Sequence, residues 1–257
     1  MTGRSDTRVV RRRELAWEGC VNVRDLGGLP TGDGGTTRFG AVVRADNVGR
    51  LSAAGWDELV AYGIRRVVDL RFEEERERDP ERKAPVELVR ISLFGAHDPA
   101  EAARIDDLTR TAPDTAAATT RMYLHALEKS GTAIASAVRA VACAPDGGVV
   151  VHCFIGKDRT GIVSALLLGA VGVTDDVVAQ DYALSDDRVR PLVDRWIASA
   201  EEEHERAYRR RVCSAPEQGM QGMLAGLRER WGSAEAYLHS IGVSPLELDR
   251  LRARLVA

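Results

Sequence analysis

An apolar run, Gly148-Val149-Val150-Val151, enters the ten residues His152-Cys153-Phe154-Ile155-Gly156-Lys157-Asp158-Arg159-Thr160-Gly161. A second apolar run, Ile162-Val163-Ser164-Ala165-Leu166-Leu167-Leu168, leaves them. The first run is short and Val-rich, which marks a buried strand. The second is longer and Leu-rich, which marks a helix. A chain organised around a strand, a tight loop and a helix is directed toward an α/β fold. The loop ends where a helix begins, so unpaired backbone N–H groups and the helix dipole favour negative charge there.

The loop carries a cysteine and, six positions on, an arginine. Of Cys20, Cys143, Cys153 and Cys213, only Cys153 has this spacing. The spacing alone is weak, because Lys83, Lys129 and Lys157 are the only lysines in an arginine-dominated chain. The complete string in a strand–loop–helix setting is specific.

A thiolate is the reactive form of cysteine. The helix start and Arg159 both favour it at Cys153. The loop N–H groups of Phe154, Ile155, Gly156 and their neighbours can hold phosphoryl oxygens. Arg159 can grip two of them through its planar fork. Gly156 lets the backbone turn and approach a phosphate. Gly161 allows tight packing at the helix start, and Thr160 can donate to the sulfur. His152 is expected to orient the loop through hydrogen bonds. Transfer of a phosphoryl group to sulfur needs an acid for the leaving oxygen. Asp158 is the first choice; Asp69 and Asp98 are its rivals. Lys157 suits a second phosphate or an acidic substrate, or is a solvated charge beside the site.

These residues predict a cysteine-dependent phosphomonoesterase working through a phosphocysteine. A phosphate-binding module without turnover and a reductase or sulfur-transfer enzyme are the competing classes. The binding module lacks an obvious need for an intact Cys153 and Arg159. The reductase or sulfur-transfer enzyme needs a further thiol, and the nearest is Cys143, ten residues upstream.

The chain resembles the bacterial dual-specificity protein tyrosine phosphatases related to mycobacterial protein tyrosine phosphatase B. The resemblance runs from about residue 15 to the C-terminus. It is carried by Asn22-Val23-Arg24-Asp25-Leu26-Gly27-Gly28, by Arg44-Ala45-Asp46-Asn47 with the helix after it, by Val68-Asp69-Leu70-Arg71, and by the phosphate loop with Asp181-Tyr182 beyond it. It implies Cys153 as nucleophile, Arg159 as phosphate binder, Asp158 as loop acid and Lys157 as a lysine shared with phosphoinositide phosphatases. Arg24, Asp25, Asp69 and His152 would support the site. It also implies metal-independent chemistry without a cofactor, on phosphotyrosine, phosphoserine/threonine or phosphoinositide substrates, and in some members a helical lid. The chain departs from the pattern at Val23, where Phe is usual, and at Phe72, where Ser is common. Phe72 would alter the rim of the pocket.

At 257 residues and 44% apolar content the chain suffices for one large phosphatase domain spanning 1–257. A formal net charge of −3 gives no electrostatic case for nucleic acid. Residues 1–14 are polar and basic and predict a flexible arm without a Sec-type signal. No apolar stretch is long enough to span a membrane. The protein is therefore expected in the cytoplasm, or exported without a cleavable signal. Cys20, Cys143 and Cys213 have no metal-type spacing and are expected to be buried or partly buried thiols.

The pattern along the chain predicts a three-layer α/β sandwich with a mainly parallel central sheet. Strands are expected at 15–21, 39–43, 64–70, 86–92 and 148–152, with a hairpin loop at 31–35. A helix capped by Ser52 should end at Gly63. The charge run 73–78 reads as a solvated helical turn. Residues 95–120 are weakly patterned and read as a flap. Helical spacing marks 122–127 and 133–142, and everything from Thr174 onward. Residues 187–211 read as one long helix, and Gly219-Met220-Gln221-Gly222-Met223 as an interruption or hinge. Ser244-Pro245-Leu246-Glu247 is a capping box. Residues 185–230 are the candidate lid over the pocket.

Overall fold

A computed structural model describes residues 13–79 and 84–256. Five strands form one sheet in the order β1-β2-β5-β3-β4: β1 Arg24–Asp25, β2 Val42–Ala45, β3 Ile64–Asp69, β4 Glu87–Arg90 and β5 Gly148–His152. All neighbours pair in parallel except β1, which runs antiparallel to β2 at one edge. β5 is central and every residue of it is buried. Its side chains alternate between two apolar clusters. Val149 and Val151 join the larger cluster, with helices α5 (Gly131–Ala142) and α6 (Asp158–Ala170). Val150 joins the other, with Trp17, Trp56 and Leu59. Trp56 and Leu59 come from α1 (Ala53–Ala61), which Ser52 caps by accepting from the Gly55 N–H. The result is a mixed α/β fold around a mostly parallel sheet. The centre of the sheet delivers His152 and Cys153 at its carboxyl edge.

Several local expectations are corrected. Residues 15–21 are not a strand. Gly19 adopts φ +104, and a Cβ there would meet the Arg50 carbonyl oxygen at 2.2 Å, so the chain turns before β1. The strand expected at 39–43 begins later, at Val42, after the left-handed Gly40. Residues 95–120 are ordered as α3 (Pro99–Arg110) and the start of α4 (Thr115–Lys129), each capped by an aspartate, Asp98 and Asp114.

Beyond α7 (Asp175–Ala183), the long helix expected at 187–211 is two helices, α8 (Ser185–Ala198) and α9 (Glu203–Cys213). They break at the buried Ala200, whose carbonyl accepts from Arg206. Gly219 and Gly222 do not interrupt anything. They lie inside α10 (Glu217–Trp231), where a Cβ on Gly219 would meet Thr119 at 2.7 Å. A Cβ on Gly222 would come still nearer to Thr120, so these glycines let α10 pack closely on α4. Two helices complete the chain, α11 (Ala234–Ser240) and α12 (Pro245–Leu255). The expected capping box starts the last of them, with Ser244 and Glu247 satisfying each other's backbone N–H groups.

The expected arm at 1–14 lies mostly outside the described residues. Its last two residues are held: Arg13 pairs with Asp181, and Glu14 pairs with Arg188 and bridges Arg24. Cys143 is exposed, against expectation, at the end of α5; Cys20 is half-buried and Cys213 buried. Among the described residues no helix is long and apolar enough to cross a membrane.

Candidate active site

Cys153 follows β5 directly, is 1% exposed, and lies at the base of a loop closed by the first turn of α6. The loop's carbonyl oxygens are drawn outward one after another. The Phe154 carbonyl accepts from the Asn47 N–H at 3.3 Å. The Ile155 and Gly156 carbonyls accept from the Asn22 side-chain amide at 3.0 and 3.2 Å. Gly156 accepts also from Arg44 at 2.9 Å. Carbonyls fixed on the outside leave the N–H groups for the inside, which is the geometry of an anion cradle.

Gly156 is required for a reason the sequence did not reveal. It adopts φ +71, and a Cβ would stand 2.5 Å from the Ala45 carbonyl oxygen. The close approach is to the end of β2, so the loop rests directly on its neighbouring strand. Gly161 is packed as expected, because a Cβ there would meet the Tyr182 ring at 3.0 Å. The Thr160 hydroxyl is buried beside them without a hydrogen-bond partner among the described residues.

Asn22 and Arg44 are themselves held by a buried charge cluster. Arg24 donates to Asn22 Oδ1 at 2.6 Å, which aims the Asn22 amide at the loop. Arg24 and Arg44 both pair with Asp181 of α7, at 3.2 and 2.9 Å, and all three side chains are 1% exposed. Burial pushes the Asp181 carboxyl up, but Arg24, Arg44 and Arg13 outweigh it and hold the group well below the usual carboxylate range. Three guanidinium groups around one carboxylate leave an excess of positive charge behind the loop. Arg24 thus reaches the loop through Asn22. Asp25 does not reach the loop: it accepts from the Gly27 and Gly40 N–H groups and from Tyr62, and so fixes the turn after β1.

His152 is buried between the loop and β3. Its Nδ1 lies 3.2 Å from the Cys153 carbonyl oxygen and its Nε2 3.6 Å from Asp69 Oδ1. Burial lowers its pKa against the pull of Asp69. Asp69 makes a two-pronged pair with Arg71 at 2.9 and 2.7 Å. Burial raises the Asp69 carboxyl, but His152 and Arg71 prevail and hold it well below its ordinary value. Asp98 caps α3 through the Ala100 N–H.

Asp158 is the first residue of α6. Its Oδ1 accepts from the Tyr123 hydroxyl at 2.8 Å and lies 3.1 Å from the Lys157 ammonium. The Tyr123 and Tyr182 hydroxyls are 2.8 Å apart. Burial pushes both phenols up, Tyr182 to about 12, so both stay protonated at neutral pH.

Lys157 is neither of the things expected of it. It is 1% exposed, and its ammonium donates to the carbonyls of Val212 and, at 3.0 Å, Ser214. It is turned away from solvent and ties the loop to the C-terminal end of α9, where a cation is favoured. Burial lowers its pKa, but Asp158 more than compensates and the ammonium is raised above its usual value.

Arg159 donates to both oxygens of Glu75, from Nη2 at 2.8 Å, and its Cζ lies 5.1 Å from the Phe72 ring centre. Glu75 belongs to α2 (Glu73–Arg76), inside the charge run that read as solvated. Composition hid it, because its neighbours Glu73 and Glu74 are exposed. Phe72 also faces Phe94 and His97, with ring centres 6.3 and 6.2 Å away, so the departure from Ser places an aromatic group at this rim. Among the described residues no group of three His, Cys, Asp or Glu is placed to hold a metal ion.

Comparison with known proteins decides the family: residues 15–257 match the model of the tyrosine phosphatase family. The chain belongs to that family. It is a protein tyrosine phosphatase, a hydrolase. Among similar proteins, a tyrosine-protein phosphatase of Nostoc commune is 32% identical over 84% of this chain and 74% of its own length. The triple specificity protein phosphatase PtpB of Mycobacterium tuberculosis is 29% identical over 95% of this chain and 99% of its own. A putative tyrosine-protein phosphatase of Cupriavidus necator is 31% identical over 69% and 64%.

Proposed function

We propose that this phosphatase hydrolyses phosphotyrosine, phosphoserine/threonine and phosphoinositide monoesters through a phosphocysteine. The Cys153 sulfur attacks phosphorus. The bond to the leaving oxygen breaks, and Asp158 gives that oxygen its proton. Water then attacks phosphorus while Asp158 takes a proton from it, and the S–P bond breaks to release inorganic phosphate and restore the sulfur. Arg159 and the loop N–H groups hold the equatorial oxygens in both steps. The observation that carries this reading is the loop itself, with three consecutive carbonyls drawn outward above a buried Cys153.

Asp158 is favoured over its rivals by position and by engagement. It opens the helix that follows the loop, and its contacts with Tyr123 and Lys157 both fall on one oxygen, Oδ1. Asp69 is gripped on both oxygens by Arg71 and held ionised, which unfits it to give a proton. Breadth of substrate finds support in the relative named for triple specificity. The three-layer arrangement and a gating role for residues 185–230 belong to the same proposal. Support for the gate comes from Lys157, which joins the loop to the end of α9. Removing residues 185–213 should change access and substrate profile; an unchanged profile would end the lid idea. The chemistry is tested by metal-free phosphate release from a phosphotyrosine peptide and from phosphoinositides, with Cys153→Ser as the control.

A further inference from the structure

Arg50 ends a single 3₁₀ turn, Val48–Arg50, whose cap Asn47 accepts from the Gly49 N–H. The Asn47 backbone N–H donates to the Phe154 carbonyl. The Arg50 side chain returns to the same residue, with its Cζ 5.0 Å from the centre of the Phe154 ring. Phe154 follows Cys153, so the turn is joined to the loop at its nucleophile end by backbone and by side chain. Other arginines around the loop are paired: Arg13, Arg24 and Arg44 with Asp181, Arg71 with Asp69 and Asp79, Arg159 with Glu75. Arg50 is exposed, and its guanidinium has no hydrogen bond or ion pair among the described residues. Two acids beside its turn are engaged elsewhere. Asp79 accepts from the Asn47 side chain at 2.8 Å and from Arg71 at 2.6 Å. Asp46 is buried, with its Oδ1 taken by the Val21 and Asn22 N–H groups, and Arg50 acts on it through the field alone. Contact with a ring occupies no acceptor, so the N–H donors of Arg50 remain for a group from outside.

Resting on the reading that phosphoproteins are substrates, we infer that Arg50 is a specificity-determining residue: standing on the Phe154 ring, it receives a carboxylate of the substrate protein within two residues of the phosphorylated one. Two residues of extended chain span about 7 Å, a distance that an arginine one ring away from the loop can cover. The recognition is one-sided. At the Arg159 end of the loop, α2 exposes Glu73 and Glu74, which oppose an acidic flank. Exposure also decides the kind of substrate. Cys153 is 1% exposed, so a phosphorylated side chain must descend to it while its polypeptide stays at the surface, level with an exposed arginine. A second phosphate on one sugar ring would descend with the first and leave Arg50 above it.

The test compares three phosphotyrosine peptides: one with glutamates at the two positions before the phosphotyrosine, one with glutamates at the two positions after it, and one with glutamines at all four. kcat and KM are measured for wild type, Arg50→Ala and Arg50→Glu. The ratio between peptides is the readout, so a uniform loss through the loop cancels. Wild type should favour one of the acidic peptides over the glutamine peptide by about two- to five-fold in kcat/KM, the scale of an exposed ion pair, and not the other. The gain should lie in KM and shrink at high salt. Arg50→Ala should abolish it and Arg50→Glu should invert it. No preference in wild type would overturn the inference, as would a preference of the same size in Arg50→Ala. So would a fall shared equally by all three peptides, which would make Arg50 a support of the loop. A ratio unmoved in Arg50→Ala, with the variant losing a preference for phosphatidylinositol bisphosphate over monophosphate in vesicles, would give Arg50 to a lipid instead. Binding of the same peptides to Cys153→Ser, with and without Arg50→Ala, reads the flank without turnover. Turnover that persists in Cys153→Ser would overturn the cysteine mechanism, and the binding series would still report on Arg50.

Discussion

Arg44 donates to the Gly156 carbonyl oxygen at 2.9 Å with one Nη and pairs with Asp181 at 2.9 Å with the other. A loop that must present its N–H groups inward needs its carbonyls held outward, and Arg44 does this from the strand beside it. Arg44 is in turn fixed by a carboxylate from a helix far along the sequence. The shape of the phosphate loop is thereby tied to α7.

Asp181→Asn should be strongly destabilising, since it leaves Arg24 and Arg44 buried together without their counter-charge. Removing one partner of a buried ion pair costs about 3–5 kcal/mol. The sign with pH follows from the depressed carboxyl. Its contribution is fully present above the unfolded aspartate value of about 4 and is lost as pH falls below it. Urea unfolding from pH 7 to pH 2 should show a steeper acid loss for wild type than for Asp181→Asn. Parallel curves would remove the cluster from the explanation.

Gly156→Ala should destabilise by about 1–3 kcal/mol through its left-handed backbone alone, with the Ala45 carbonyl adding a direct clash. The loop would have to move off β2, so phosphate release should fall by more than stability accounts for. Activity of a folded Gly156→Ala close to wild type would contradict the close-approach role.

Lys157→Met keeps length and burial but removes the donor to Val212 and Ser214 and the counter-charge to Asp158. Amide hydrogen exchange in α9 and residues 212–215 should quicken, by the roughly 1–3 kcal/mol that buried unpaired polar groups cost. A lysine that only met substrate would raise KM and leave exchange in α9 untouched.

The sheet and the loop were legible because both depend on local pattern. Val149, Val150 and Val151 announce a buried strand, and the residues after them carry an unmistakable order of Cys, Gly, Arg and Gly. What sequence hid is what depends on contacts between distant segments. Glu75 sits in a run of similar charges and is set apart only by meeting Arg159 across 84 positions. Gly219 and Gly222 look like a break until Thr119 and Thr120 stand against them. Lys157 looks like a surface charge until the end of α9 covers it. Residues 15–21 have strand-like composition, and only the Arg50 carbonyl beside Gly19 shows why the chain turns there.

The most direct measurement is metal-free phosphate release from a phosphotyrosine peptide by wild type and Cys153→Ser, with rapid acid quench to trap phosphate on the protein. Release by wild type, with phosphate trapped on Cys153 and none released by the serine variant, is the expected result. Release that persists in a folded Cys153→Ser, with nothing trapped on wild type, would contradict the phosphocysteine mechanism.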